Sequence, residues 1–378
     1  MKIEPFALER WMTAHELSAT HDIAESGILP LTTNDLLAFE EPKQREVLLE
    51  RLLETPLGYS AASGSLELKT VLADTYRDCT PENILVTTVA IEANFLLFNV
   101  LLDPGDHVVA VNPAYQQLNS VPRAVGANVS LWKVGLKGYR YDLDELERLM
   151  TPRTRLVVLN TPHNPTGAML GEEELGRVYD LAESVGAWVL CDEAYRWLEV
   201  PGGAPFASPA VDYGPSAISV GTISKPFGLP GLRIGWMAAP AEIVAECWSM
   251  RDYVSLSPGK LSDALAILAF KHRDRIIERN RKIIGQNLEA TNRFVEERSD
   301  FLSWTPPRGG LLALLRYELD VPSLELANRL SEEHGVMLAP GSAFGFEHHL
   351  RIGIGQDPPV FAEGLRRAGA FFDELRGS

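Results

Sequence analysis

In the run Val220-Gly221-Thr222-Ile223-Ser224-Lys225-Pro226-Phe227-Gly228-Leu229-Pro230-Gly231-Leu232-Arg233-Ile234-Gly235-Trp236, an apolar stretch leads into two hydroxyls and a lysine. Three glycines follow, with an arginine eight residues beyond the lysine. A lysine set against packed apolar walls is costly unless its charge is neutralised, paired or used. An unprotonated lysine amine can condense with a carbonyl to give an imine, which is how amines act as covalent catalysts. Thr222, Ser224 and Arg233 can together hold a phosphate, the hydroxyls donating singly and the guanidinium as a fork. Taken alone, the segment also reads as a surface lysine in a glycine-rich turn with Arg233 in an ordinary salt bridge.

Other stretches carry chemistry at comparable places. Arg155-Leu156-Val157-Val158-Leu159 reads as a buried strand that opens into Asn160-Thr161-Pro162-His163-Asn164-Pro165-Thr166-Gly167, an amide fixed in direction by a turn. Ala187 to Cys191 reads as another strand, ending at Asp192-Glu193-Ala194-Tyr195. His163 borders the Asn-Pro turn and can line a pocket, without a proton-transfer role. Together with Leu57-Gly58-Tyr59, Asn112-Pro113-Ala114-Tyr115 and Leu350-Arg351-Ile352-Gly353, these stretches resemble the fold-type I pyridoxal-phosphate enzymes of the class I/II aminotransferase family. The resemblance covers nearly the whole chain and includes stretches similar to the capreomycidine synthase branch.

The resemblance implies a cofactor, pyridoxal 5′-phosphate (PLP), bound through a Lys225 Schiff base. By the same resemblance Asp192 pairs with the pyridinium nitrogen, Asn164 and Tyr195 hydrogen-bond the phenolic oxygen, and Tyr115 stacks on the ring. Thr222, Ser224 and Arg233 receive the phosphate, joined by backbone N–H groups of Ala90 and Ile91 and by Tyr59 from a neighbouring subunit. Arg351 binds the substrate α-carboxylate, while Gly27 and Ile28 lie over the substrate. The turn Val89-Ala90-Ile91 departs from its relatives, which usually have glycine first and often serine or threonine third. Backbone donors need no particular side chain, but two β-branched residues restrict the turn.

These residues need a scaffold that collects strand ends. Strands are expected at 82–88, 107–111, 155–159, 187–191 and 217–220, with helices at 92–102 and 172–185 between them. That alternation predicts a mostly parallel sheet with its chemistry at the C-terminal edge. An N-terminal amphipathic helix is expected over 6–18 and a long helical pattern over 259–297. Short strands at 311–317, 336–339 and 350–354 alternate with helices. The expected fold class is α/β: a large domain with a mostly parallel seven-stranded sheet sandwiched by helices, plus a small α+β domain. The division is 1–45 for an N-terminal arm and part of the small domain, 46–275 for the PLP-binding domain and 276–378 for the rest of the small domain.

The chain has 378 residues, 46% of them hydrophobic and 23% charged, enough for a large core. A formal charge of −16 disfavours nucleic-acid binding. Three widely spaced cysteines point to neither a disulfide framework nor a metal site, which suits the cytoplasm. No stretch approaches the roughly 18 apolar residues of a membrane span, and the first residues lack a signal-peptide core. The expected function is an aminotransferase working on an amino acid and a 2-oxo acid as a homodimer with shared active sites. The alternatives are a PLP-dependent cyclase, eliminase or oxidase and, further off, a non-catalytic PLP-binding module.

Overall fold

The computed structural model describes residues 2–135 and 138–377. Met1 and Ser378, the outer limits of the expected domains, lie outside the described residues. A twisted sheet dominates, with strand order Ile84–Thr87, Gly235–Ala238, Ala217–Thr222, Trp188–Asp192, Thr154–Asn160, His107–Asn112, Asn128–Gly135, Arg140–Tyr141. Only Gly235–Ala238 and the two-residue edge strand Arg140–Tyr141 run against the others. The sheet therefore has eight strands, one more than expected. The extra strand comes from a short return along the end of Asn128–Gly135 that carries no periodic signal of its own. Strand interiors such as Val108–Val111 and Leu156–Leu159 are fully buried, as a parallel sheet covered by helices on both faces requires.

Because the parallel strands share a direction, their last residues (Asn112, Asn160, Asp192, Thr222) fall along one edge. Asn160 stands opposite Asp192, and Asp192 opposite Val220. Gly235 lies between Thr87 and Thr222 in register. It is thus flanked by the lead-in to the helix Val89–Leu101 on one side and the hydroxyl segment on the other.

A second, antiparallel sheet has the order Leu302–Trp304, Leu312–Tyr317, His349–Gly353, Ala339–Pro340. Its core includes Leu312, Leu315, Leu350 and Ile352, and it takes in Leu8, Trp11 and Met12 of the N-terminal helix Ala7–His15. His21–Asp22 pairs in parallel with Val336–Met337, binding the N-terminal arm to the C-terminal sheet. The long pattern over 259–297 forms two helices, Lys260–Lys271 and Arg273–Glu296. Ile276 of the second packs with Phe227, Trp236 and Phe270, while Ile283 and Ile284 pack into the small-sheet core. Among the described residues no helix is long and apolar enough to cross a membrane, and no group of three or more His, Cys, Asp or Glu is placed to hold a metal.

Candidate active site

The C-terminal sheet edge, the N-terminal helix and the C-terminal sheet enclose a cavity of about 500 Å³. Of the residues singled out in the sequence, Ala90, Ile91, Tyr115, Asn164, Asp192, Tyr195, Thr222, Ser224, Lys225, Arg233 and Arg351 all line it. Gly27 and Ile28 do not. Their segment presents Glu25 and Ser26 instead, because Gly27 turns its backbone against Gly355, where an added Cβ would meet Gly27 O at 2.3 Å. Tyr59 is 84% exposed and stands outside this cavity.

Lys225 follows the buried strand Ala217–Thr222, and its Nζ donates to Ser26 Oγ at 2.7 Å. Glu25 Oε1 lies 3.5 Å from the same amine. Burial opposes the Glu25 charge, but Lys225 and Arg351 outweigh it and hold the carboxyl below its usual range. The hydroxyl segment is ordered by short contacts: Ser224 N donates to Thr222 Oγ1 at 3.1 Å, and Thr222 Oγ1 donates to Ile234 O at 3.0 Å. Arg233 is exposed at the rim, with Nη1 donating to Pro230 O at 2.8 Å.

Asp192 ends its strand with its side chain buried. Burial pushes its carboxyl up, against hydrogen bonds from the Ala194 N–H and the Asn94 amide that favour the anion. Those contacts measure 3.0 Å from Ala194 N to Oδ1 and 2.8 Å from Asn94 Nδ2 to Oδ2. Asn160 secures the neighbouring turn by donating Nδ2 to Asp192 O at 2.7 Å and accepting Asn164 N at 2.8 Å. Arg351, 1% exposed, donates from Nη1 to Asn164 Oδ1 at 3.3 Å and from Nη2 to Ala24 O at 2.8 Å. Its Nε is buried without a partner among the described residues, a spare donor. With Oδ1 taken by Arg351, the Asn164 amide has Nδ2 left to give.

Tyr115 donates to Glu9 Oε1 at 3.0 Å and packs on Phe6, ring centroids 4.7 Å apart. The N-terminal segment thereby closes over the cavity. Burial pushes the Tyr195 hydroxyl up. His163 donates from Nε2 to Pro113 O at 2.7 Å and accepts Thr166 Oγ1 at Nδ1, also at 2.7 Å. Burial lowers it to about 4, so it is neutral and fully engaged, a brace for the turn.

Sequence reasoning missed Asn94, Glu9 and the pair Glu25-Ser26. An amide within the apolar run Ala93 to Leu97 was a visible signal for Asn94, which is 1% exposed. Glu9 and Glu25 carry no comparable signal, since they lie in stretches whose folding over the cavity depends on distant strand pairing.

The family model for aminotransferase class I and II matches residues 26–367. Capreomycidine synthase of Streptomyces vinaceus is 32% identical over 359 residues, covering 95% of this chain and 91% of its own. A PLP-dependent aminotransferase structure from Streptococcus suis superposes with a TM-score of 0.93 at 33% identity, covering 99% of each chain. The PLP-dependent cyclase OrfR superposes at 0.89 and 30% identity, covering 99% of this chain and 98% of its own. The chain belongs to the aminotransferase class I and II family: it is a fold-type I, PLP-dependent enzyme, and its cofactor is pyridoxal 5′-phosphate.

The residues present fit that cofactor. A Cβ added at Gly235 would meet Val89 C at 2.3 Å and Ala90 N at 2.5 Å. Only glycine therefore lets the start of the helix Val89–Leu101 settle beside Thr222 and Ser224, where helix N–H groups and hydroxyls suit a phosphate. At the other side of the cavity the buried Asp192 carboxylate calls for a cation.

Proposed function

We propose that this chain is a PLP-dependent aminotransferase that moves an amino group between an L-amino acid and a 2-oxo acid. The observation that carries the reading is that Lys225, Asp192 and Arg351, from three separate stretches, line one cavity. When bound, PLP supplies an aldehyde and an electron-accepting ring. Asp192 would keep the ring nitrogen protonated, because a carboxyl whose charge burial opposes is stabilised by a cation beside it. Asn164 and Tyr195 hold the phenolic oxygen. Thr222, Ser224, Arg233 and the Ala90 and Ile91 N–H groups hold the phosphate. Arg351, preset by Asn164 and Ala24, takes the substrate α-carboxylate. The Lys225 amine, within hydrogen-bond reach of Ser26, removes the proton from the substrate Cα.

A homodimer with shared sites, acting in the cytoplasm, is part of the proposal. Leu57, Tyr59 and Tyr253 are 84%, 84% and 92% exposed, and their segments are joined where Arg251 Nη1 donates to Ala62 O at 2.6 Å. An apolar patch of this kind suits a second copy, from which Tyr59 reaches the phosphate. Three unpaired cysteines, two of them buried, suit a reducing compartment. The three-part division of the chain at 45/46 and 275/276 also belongs to the proposal, supported by the passage of Arg273–Glu296 from one core to another.

A second reading, cyclisation or elimination on the same cofactor, is favoured by Glu9, Glu16 and Glu25 at the cavity. These carboxylates suit a substrate with a cationic side chain, and the similar proteins include a capreomycidine synthase and a PLP-dependent cyclase. The deciding experiment incubates the holoenzyme with an amino-acid panel plus pyruvate or 2-oxoglutarate. Appearance of alanine or glutamate supports transamination. Consumption of the donor with the oxo acid untouched supports the second reading. No turnover of any donor would leave a PLP-binding module.

A further inference from the structure

Val89 opens the phosphate-side helix with φ of 59°. This is the left-handed region that β-branched residues occupy only where their surroundings impose it. Several contacts impose it here. Gly235 removes the side chain that would collide with Val89 C and Ala90 N. Thr87 Oγ1 donates to Val89 O at 2.9 Å. Gln117 Nε2 donates to Ile91 O at 2.6 Å. Thr88 N donates to Glu92 Oε2 at 2.5 Å, so the Glu92 carboxylate reaches back across the first helical turn and fixes the residue preceding Val89.

Glu92 is itself held from behind. It is 6% exposed, and Arg251, fully buried, lies with Nε 3.6 Å from Glu92 Oε2. Arg251 donates from Nε to Ser255 Oγ at 3.0 Å and from Nη1 to Ala62 O at 2.6 Å. Its Nη2 and Glu92 Oε1 have no partners among the described residues. A buried ion pair with unmet atoms is poor value as a stabilising device, since apolar residues of similar volume usually serve stability as well or better. Its worth must lie in direction. The element it directs is the turn Val89-Ala90-Ile91, which lines the cavity.

We propose that Glu92 and Arg251 are positioning residues for the cofactor phosphate. They force Val89 into the conformation that glycine would adopt unaided and so aim the Ala90 and Ile91 N–H groups. The proposal rests on the reading that those two N–H groups receive the phosphate.

The test is the dissociation constant of PLP, titrated into the cofactor-stripped full chain, with pyridoxal as the ligand lacking a phosphate. The variants are E92M/R251M, V89G and the triple combination, each checked by circular dichroism. E92M/R251M should keep the fold and lose PLP affinity by about tenfold or more, the change expected when one buried donor goes unmet. It should leave pyridoxal affinity within about twofold. Adding V89G should restore most of the lost PLP affinity. E92D, whose carboxylate falls one methylene short of Thr88 N, provides a second variant and should show the same loss and the same rescue.

Unchanged PLP affinity in folded E92M/R251M and E92D, or a loss that V89G does not rescue, overturns the proposal. An equal loss for PLP and pyridoxal overturns it too, because the pair would then act on the whole site. If the wild-type chain binds PLP no more tightly than pyridoxal, the phosphate reading beneath the proposal is itself wrong.

Discussion

Asp192 ends its strand in a place that resists charge. Burial pushes its carboxyl up, while hydrogen bonds from Asn94 and the Ala194 N–H favour the anion. Asp192→Asn preserves the shape and removes the charge, so it should lower turnover about a hundredfold or more while the chain stays folded. Stopped-flow absorbance with a good donor measures this, and wild-type rates would take Asp192 out of the scheme. Arg351→Lys should act on binding instead. A lysine cannot reproduce the fork that joins Asn164 Oδ1 and Ala24 O, so KM for the amino acid should rise about tenfold with a smaller change in kcat. An unaltered KM would assign the α-carboxylate elsewhere.

Burial, then the nearby Glu25 carboxylate, push Asp22 up to about 6 from 3.8. The folded chain thus binds this proton more tightly than the unfolded one. The stabilisation is complete below about pH 4 and is lost as pH rises through about 6. Asp22→Asn, which keeps an acceptor for the Ala24 N–H, should flatten the decline in stability across that window. Denaturant midpoints of both proteins from pH 4 to 7 check this, and identical slopes would contradict it.

At the scale of elements, the sequence made the strand ends legible because parallel strands announce themselves as apolar runs closed by polar turns. Asn164, Asp192 and Thr222 each stand just beyond an expected apolar run. Helix starts were less legible. The helix expected from Glu92 begins at Val89, since bare Gly235 on the adjacent strand admits the extra turn and periodicity does not record a neighbour's missing side chain. The break at His272 was likewise hidden: Glu40, buried and more than two hundred residues away, accepts from both Lys271 and His272. Gly235→Ala tests the first of these explanations. Its methyl would press on Val89 C, and overpacking of this kind should cost about 1–3 kcal/mol. Urea unfolding of the cofactor-free chain should show that loss, accompanied by weaker PLP binding. A neutral substitution would mean the turn has room to spare.

For the whole molecule, the cavity is closed by the first residues of the chain and by some of the last, with Glu9 against Tyr115 and Arg351 beneath the arm at Ala24. Composition and periodicity could not predict that meeting, because it depends on the His21–Asp22 pairing with Val336–Met337. The exposed patch around Leu57, Tyr59 and Tyr253 should be buried in solution by a second copy. Light scattering should return twice the chain mass, and L57E/Y253E should return the single mass with PLP affinity reduced. A wild-type monomer that binds PLP tightly would remove Tyr59 from the site.

Covalent attachment at Lys225 is tested by borohydride reduction of the holoenzyme followed by peptide mass mapping. The prediction is a phosphopyridoxyl group on the peptide carrying Lys225, absent from Lys225→Ala. Label on another lysine, or none on a chain that still turns over substrate, would contradict it.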